Sequence, residues 1–424
     1  MNGVRILPPT AMLLSAAIAM PVQAQSQNAT QNPTHYQGPG DLRAEAEGER
    51  VATLDDLVVT ASLEPVARKE VVSSVTVITR ADIEARQVKY VGDLLRDVPG
   101  FNVSQSGGAG TQTQVRVRGA EANQLLVLID GVRANDPANS DEFQWQFALT
   151  SDIERIEIVR GPQSAIWGSD AVAGVVNIIR RKGAGERRLS GRAELGSFDT
   201  VDLAADGAWT SADGDLRVYG GVAYTDTDGI NISRTGDEKD GVENTTGNLG
   251  VEWTLDDAWT LSALGKIVDA TSAFDDTDFL FTGLPVDTDR VTENEQAYLQ
   301  AEARFAPRDS IWSGNVQVNT SDTDTLNIYD GAFNSSTAAD VFELRARGSA
   351  SWDGARSGSH RVTLAADHRG TDFTQRGIAT DFGDPNQDQS LDVTGVAAEY
   401  QGQPMDGLTW TCLLYTSPSP RDHG

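Results

Sequence analysis

Cysteine is almost absent from this chain, with one residue, Cys412, in 424. A disulfide framework is therefore excluded, as is a zinc site built from paired thiolates. Histidine is nearly as scarce, with only His35, His360, His368 and His423. No H-E-x-x-H or G-x-S-x-G string occurs, and the one thiol lies in the last thirteen residues, so hydrolase chemistry lacks its usual groups. His360 and His368 are eight apart on an alternating segment and share a face, which a solvated pair explains without a metal. No G-x-x-x-x-G-K-[ST] loop is present to bind a nucleotide. Basic residues are outnumbered, 34 Lys and Arg against 62 Asp and Glu, and the formal net charge of -28 repels nucleic acid. After the N-terminal segment there is no run of ~18–20 apolar residues, hence no transmembrane helix. Hydrophobic residues amount to 39 %, which fits a soluble β protein or a membrane barrel that hides apolar residues at alternate positions.

What is present falls into blocks. Residues 1–24 read as a secretory signal: Arg5, the apolar stretch Ala11 to Met20, and small residues around Val22-Gln23-Ala24. A buried N-terminal helix is the other reading of that stretch. Residues 25–53 are polar and read as a disordered arm. Within 54–62 stands a short β-prone island, Leu57-Val58-Val59-Thr60-Ala61, which suits a first domain strand or a docking strand for a partner. Residues 63–183 read as a small α/β domain. Its strand candidates are Val71 to Thr79, Gln114 to Gly119, Leu125 to Asp130, Ile153 to Arg160 and Val172 to Ile179. A helix opens at Arg80, and Val91, Leu94, Leu95 and Val98 have helical spacing before the Pro99-Gly100 stop.

From Ala184 to Thr411 the texture changes to short alternating segments: 189–195, 216–224, 249–255, 297–305, 312–318, 341–346 and 362–366. Polar loops separate them, and Trp209, Trp253, Trp259 and Trp312 sit near their ends. Alternation with terminal aromatics predicts a transmembrane antiparallel barrel, with a soluble sandwich or propeller as the competing pattern. This half holds 40 acidic and 16 basic residues. Residues 412–424, CLLYTSPSPRDHG, resemble translated sequencing-adapter read-through and read as a non-native tail. The natural protein is then expected to continue beyond Thr411.

VGDLLRDVPGFNV (91–103), QVRVRG (114–119), LLVLIDGVRAND (125–136) and IERIEIVRGPQSAIWGSDAVAGVVNIIRR (153–181) together resemble the TonB-dependent outer-membrane receptors, in particular their cobalamin-transporting branch. The resemblance implies an N-terminal plug inside a barrel of about 22 strands, of which only about half fits in 184–411. It identifies Asp55, Asp56, Leu57, Val58, Val59, Thr60 and Ala61 as the TonB box. The implied partners are TonB of the TonB-ExbB-ExbD system, outer-membrane lipid, a corrinoid or ferric siderophore, and a periplasmic binding protein downstream, for a monomeric receptor that is not an enzyme. A passive porin or soluble β-rich binding module is the reading from another class.

Gly107-Gly108-Ala109-Gly110 is a flexible tip with no helix after it, and so not a nucleotide loop. On sequence alone this tip and the segment Asn135 to Gln144 are plain turns. The resemblance turns both toward an external ligand, with Gln105, Ser106, Gly107, Gly108, Asn135 and Asp136 as candidate contacts. Arg116, Arg118, Arg133, Arg160, Arg180 and Arg181 are expected to pair with carboxylates of the barrel wall. Six Asp and no Lys or Arg lie from Asp269 to Asp289, and Asp237, Glu238 and Asp240 form another group. Uncompensated carboxylates suit a hard cation, or simply a solvated acidic surface, and no EF-hand pattern is present. The resemblance implies calcium, held by Asn231, Glu238, Asp240, Asp275 and Asp287, and no organic cofactor.

Overall fold

The computed structural model describes residues 57–58, 63, 66–67, 73–182, 187–236, 238–278, 281–354, 358–379, 383–405, 408–416 and 421–422, with backbone alone at 57–58, 66–67 and 421–422. The expected signal segment, the polar arm, and Asp55, Asp56, Val59, Thr60 and Ala61 lie outside the described residues.

Two short strands come first, β1 (Leu57–Val58) and β2 (Val66–Ala67), paired antiparallel. The plug follows. β3 (Ser74–Thr79) runs into α1 (Arg80–Arg86), then come α2 (Val91–Leu95), β4 (Phe101–Gln105), β5 (Thr113–Val117), β6 (Leu125–Ile129), β7 (Val132–Arg133), β8 (Ile153–Arg160), α3 (Ser164–Trp167) and β9 (Gly174–Arg180). The Thr79 hydroxyl accepts from the Asp82 N–H while the Asp82 carboxylate accepts from the Thr79 N–H, a reciprocal cap that fixes the start of α1. Five strands form a sheet in the order β3-β8-β9-β6-β7, with β6 and β9 parallel. Every residue of β6 and β9 is buried, as expected for central strands covered on both faces. The helical spacing of Val91, Leu94 and Leu95 places all three in the core beside Ile156 and Ile158.

The wall is a meander of antiparallel neighbours. Its strands are β10 (Arg188–Leu195), β11 (Val201–Thr210), β12 (Leu216–Ile230), β13 (Asp240–Thr254), β14 (Trp259–Thr277), β15 (Pro285–Phe305), β16 (Trp312–Tyr329), β17 (Ala332–Gly354), β18 (Gly358–Gly377), β19 (Gln387–Met405) and β20 (Leu408–Thr416), with β21 (Arg421–Asp422) also against β19. Among the described residues β10 and β20 do not pair, so the barrel is partial. Residues 412–416, expected to fall outside the fold, continue β20 along the edge of β19. Backbone pairing needs no particular side chains.

The strands are longer than the alternating segments predict: β15 has 21 residues and β17 has 23, against the ~9–11 that cross a bilayer. Their other halves, rich in Asp, Thr and Asn, read as loops because polar residues on both faces leave no apolar alternation to see. Inward positions such as Leu264, Val268 and Tyr298 are buried, and Tyr298 joins the plug core. Outward Leu249, Ile267 and Leu299 are exposed on the other face.

Candidate functional site

The chain enters the plug through a tether. β1 and β2 pair with each other alone among the described residues. Between them, the Leu63 N–H donates to Glu399 Oε2 of β19 at 3.2 Å, and Arg347 of β17 donates to the Leu63 carbonyl. The Leu63 side chain is buried. Leu57 and Val58 are thus in strand conformation, close in sequence to a point held by the wall.

The far end of the plug is a hairpin. β4 and β5 pair from Phe101↔Val117 to Gln105↔Thr113, and their tip reaches the β12–β13 connection. Gly107 lies against Ile232, and Gly108 against Ile230 and Asp240. Gly110, at φ +79°, accepts from Ser272 Oγ at 2.9 Å; a Cβ there would sit 2.7 Å from Val242. The Gln105 side chain is used within the plug, donating to the Gly108 carbonyl and accepting from Arg96. Ser106 is exposed, and its N–H donates to the Gln112 carbonyl.

Asn135 and Asp136 lie in another connection. The Asn135 amide donates to the Leu125 and Asp141 carbonyls and accepts from the Val127 N–H. Asp136 is buried, accepts from the Ala138 N–H and Gln144 Nε2, and burial pushes its carboxyl up to about 6. Both side chains shape the plug loop from within.

Above the hairpin tip the predicted metal residues converge. Carboxylate oxygens of Glu238, Asp275 and Asp287 lie within 4.8 Å of one another. Asn231 Nδ2 donates to Asp287 Oδ1 at 2.7 Å. Asp275 accepts from the Ser233 and Thr288 N–H groups. Gly236, at φ +94°, lies against the Asp287 carboxylate, which any Cβ there would displace. Asp240, at the outer end of β13, is buried, with neither carboxylate oxygen in a well-formed hydrogen bond. Burial and the neighbouring carboxylates of Asp275 and Asp287 push it up to about 6, with partial relief from the Ile232 N–H. Burial, then Asp240 and Asp275, raise Glu238 as well. Asn231 and Glu238 of the β12–β13 connection thus meet Asp240, Asp275 and Asp287 at the ends of β13, β14 and β15, and a divalent cation would relieve the repulsion among these carboxylates.

The plug meets the wall through separable polar contacts, but not as expected for most of the arginines. Arg133 pairs with Glu343 at 3.3 Å and Arg181 with Asp206 at 3.2 Å, both on the wall. Arg116 instead pairs with Glu121, Arg160 donates to the Pro99 carbonyl and Thr76 Oγ1, and Arg118 packs over Gly100, all within the plug, while Arg180 pairs with plug Asp130 and reaches the wall only at the Gly265 carbonyl of β14, at 3.0 Å. These four sit on or beside the plug's own strands, and the carboxylates that Arg116 and Arg180 meet are the plug's own Glu121 and Asp130. Several wall contacts run with the charges reversed: plug Asp152 faces Lys266 of β14 at 3.5 Å, and plug Asp170 faces Arg369 of β18 at 2.8 Å. Asp170 also binds Arg133 at 2.7 Å. It belongs to a motif visible in the sequence, whereas nothing local marks Arg369, Glu399 or Arg347. Beside this network opens a cavity of about 960 Å³, between Asn135, Asp141 and Asp170 of the plug and Arg369, Thr371 and Phe373 of the wall.

Residues 67–175 match the TonB-dependent receptor plug domain. Over 187 residues the chain is 38 % identical to the vitamin B12 transporter BtuB of Vibrio vulnificus, covering 43 % of this chain and 30 % of that protein. The match therefore spans less than a third of the length of the curated relative. Among solved structures, Pseudomonas aeruginosa FpvA bound to pyoverdines aligns at a TM-score of 0.72 with 14 % identity, over 85 % of this chain and 53 % of that one. The alcaligin outer-membrane receptor FauA of Bordetella pertussis aligns at 0.68 with 19 % identity, over 87 % and 60 %. These two likenesses establish the fold. Residues 67–175 are thus a TonB-dependent receptor plug domain, and the plug and partial barrel together share the fold of the solved outer-membrane receptors.

Proposed function

We propose that this chain carries the plug and part of the barrel of a receptor that takes up a corrinoid across the outer membrane, driven by TonB. The observation that carries the reading is the converging trio Glu238, Asp275 and Asp287, with Asp240 between it and the plug hairpin tip at Gly108. Calcium there would fasten the β12–β13 and β14–β15 connections above the plug and shape the face that meets the ligand. The 38 % identity to a vitamin B12 transporter supports a corrinoid as that ligand.

Energy enters at the other end. TonB, coupled to ExbB and ExbD, adds a strand to the segment 55–61, whose Leu57–Val58 is extended. Tension then passes along the chain to Leu63 and its ties to Arg347 and Glu399, and onward to the plug. The many modest polar contacts between plug and wall yield one at a time, and the ligand passes to a periplasmic binding protein. The receptor acts as a monomer.

Titration calorimetry on the detergent-solubilised receptor tests the ligand. Cyanocobalamin is expected to bind, more tightly with calcium than after chelation. Binding of a ferric siderophore but not cyanocobalamin, in both conditions, would replace the corrinoid by iron.

A further inference from the structure

The plug is held differently on two sides of the wall. Toward β11–β15 the hold is largely apolar and buried. Phe147 of the plug packs with Val268 and Ala270 of β14, and Tyr298 of β15 joins the plug core. Gln300 of β15 donates to the Asp130 carbonyl at 3.2 Å. Plug Asp152 and Lys266 face each other with side chains only 8 % and 6 % exposed. Asp152 also accepts from Asn248 of β13, so the groups that hold its carboxylate belong to the wall. Drawing the plug away here would strand a buried charge, which is strongly destabilising.

Toward β17, β18 and β19 the hold is polar. Among the described residues no cluster of buried apolar side chains joins the plug to these three strands. Arg133 meets Glu343, Asp170 meets Arg369, and Arg345 donates to the Gly131 carbonyl. These groups divide into pairs that survive separation. The plug keeps Arg133 on Asp170 at 2.7 Å, and the wall keeps Arg345 on Glu343 at 2.7 Å, with Asn319 donating to the same carboxylate. Arg369 lines the cavity of about 960 Å³, where solvent can replace Asp170 at little cost.

The tether arrives on the same side. Glu343, Arg345 and Arg347 are spaced two apart on β17 and share its inner face. Arg347 holds the Leu63 carbonyl, and Glu399 of β19 holds its N–H. A pull on Leu57–Val58 would thus load first the side on which exchangeable charges hold the plug.

We infer that the plug parts from the wall along β17–β19 and stays seated on the β11–β15 side, so that the ligand passes beside Arg369, where the cavity already lies. This opening rests on the TonB-driven uptake proposed above. The alternative is a plug that leaves the wall as one body.

Two wall alanines report the two sides. Ala397 of β19 is buried beside Leu63 and Trp167, and Ala270 of β14 is buried with Phe147. In a Cys412→Ser background, Ala397→Cys and Ala270→Cys are each placed in the detergent-solubilised receptor and exposed to a maleimide in sub-denaturing urea. Ala397→Cys is expected to label at least about tenfold faster, because local openings precede global ones. Equal rates, or faster labelling of Ala270→Cys, would overturn the inference whatever the ligand is. Transport is then read in cells. Asp170→Cys with Arg369→Cys, and Arg181→Cys with Asp206→Cys, are each joined by a short bifunctional thiol reagent. The first joint is expected to stop uptake of labelled cyanocobalamin without reducing its surface binding, and the second to leave uptake at the rate of the unjoined receptor. Uptake surviving the first joint, or lost with both, would overturn the inference. Cyanocobalamin bound by none of these receptors would count against the corrinoid reading instead, and the labelling order would still decide where the plug parts.

Discussion

The Leu63 N–H and the Glu399 carboxylate meet at 3.2 Å, joining the chain five residues after Val58 to the barrel wall. With Arg347 holding the carbonyl of the same residue, the tether into the plug is clamped at one peptide position. A load applied at Leu57–Val58 would reach this clamp, along the chain, before it reached the plug sheet.

Replacing Glu399 by Ala removes the acceptor and leaves a buried N–H unsatisfied, a cost of about 1–3 kcal/mol. Hydrogen exchange at Leu63 and in β2 is expected to accelerate, with β6 and β9 unchanged. Unaltered exchange at Leu63 would mean that the contact does not hold the segment.

The plug core is sensitive to volume. Leu94 is fully buried among Val91, Ile156 and Ile158. Leu94→Ala is expected to destabilise the plug by about 2–5 kcal/mol, since the cavity collapses only partly. Chemical denaturation followed by exchange in β8 and β9 checks this.

At the hairpin tip, Gly110→Ala combines a left-handed φ of +79° with a Cβ placed 2.7 Å from Val242. Left-handed backbone costs about 1–2 kcal/mol and overpacking about 1–3 kcal/mol more. The tip is expected to detach from β13, raising protease cleavage between Gln105 and Gln112. Adding Val242→Ala should recover part of the loss by relieving the overlap.

The carboxylate group over the tip predicts a pH dependence. Asp240 is raised to about 6, and Glu238 is raised too, chiefly by burial and then by neighbouring acids. A raised acid keeps its proton longer in the folded state than in the unfolded one. Without a cation, therefore, the loops lose stability as pH rises from the ordinary carboxylate range through about 6. The proposed calcium would take the ionised form, so its affinity should weaken as pH falls below that point. Calcium titrations at about pH 7.5 and about pH 5 check the sign, and Asp275→Asn should abolish the difference along with most of the binding.

Much of the plug was legible in the sequence, because its signals are local. Leu125–Ile129 is a continuous apolar run, Thr79 and Asp82 bracket a helix start, and Gly107 to Gly110 forms the turn it resembles. The wall was legible only where apolar residues alternate along the strands. Beyond that zone, β15 and β17 extend through Asp, Glu, Thr and Asn residues that read as loops. Pairing across the plug–wall boundary was the least legible. Arg180 finds Asp130 inside the plug, while Asp170 finds Arg369 199 positions away, and no local pattern encodes that distance. Glu238, Asp240, Asp275 and Asp287 were visible as residues, but their convergence appears only when the ends of β13, β14 and β15 come together beside the β12–β13 connection.

The most direct test concerns Val58, which lies in the extended segment paired with β2. Proline there removes a backbone N–H and blocks strand addition by a partner, while leaving the ligand-facing end of the receptor untouched. Uptake of labelled cyanocobalamin is measured in cells whose receptor carries Val58→Pro, beside surface binding to the same cells. Binding at the unaltered level with uptake lost is the expected result. Uptake continuing at the unaltered rate would contradict TonB-driven transport through this segment.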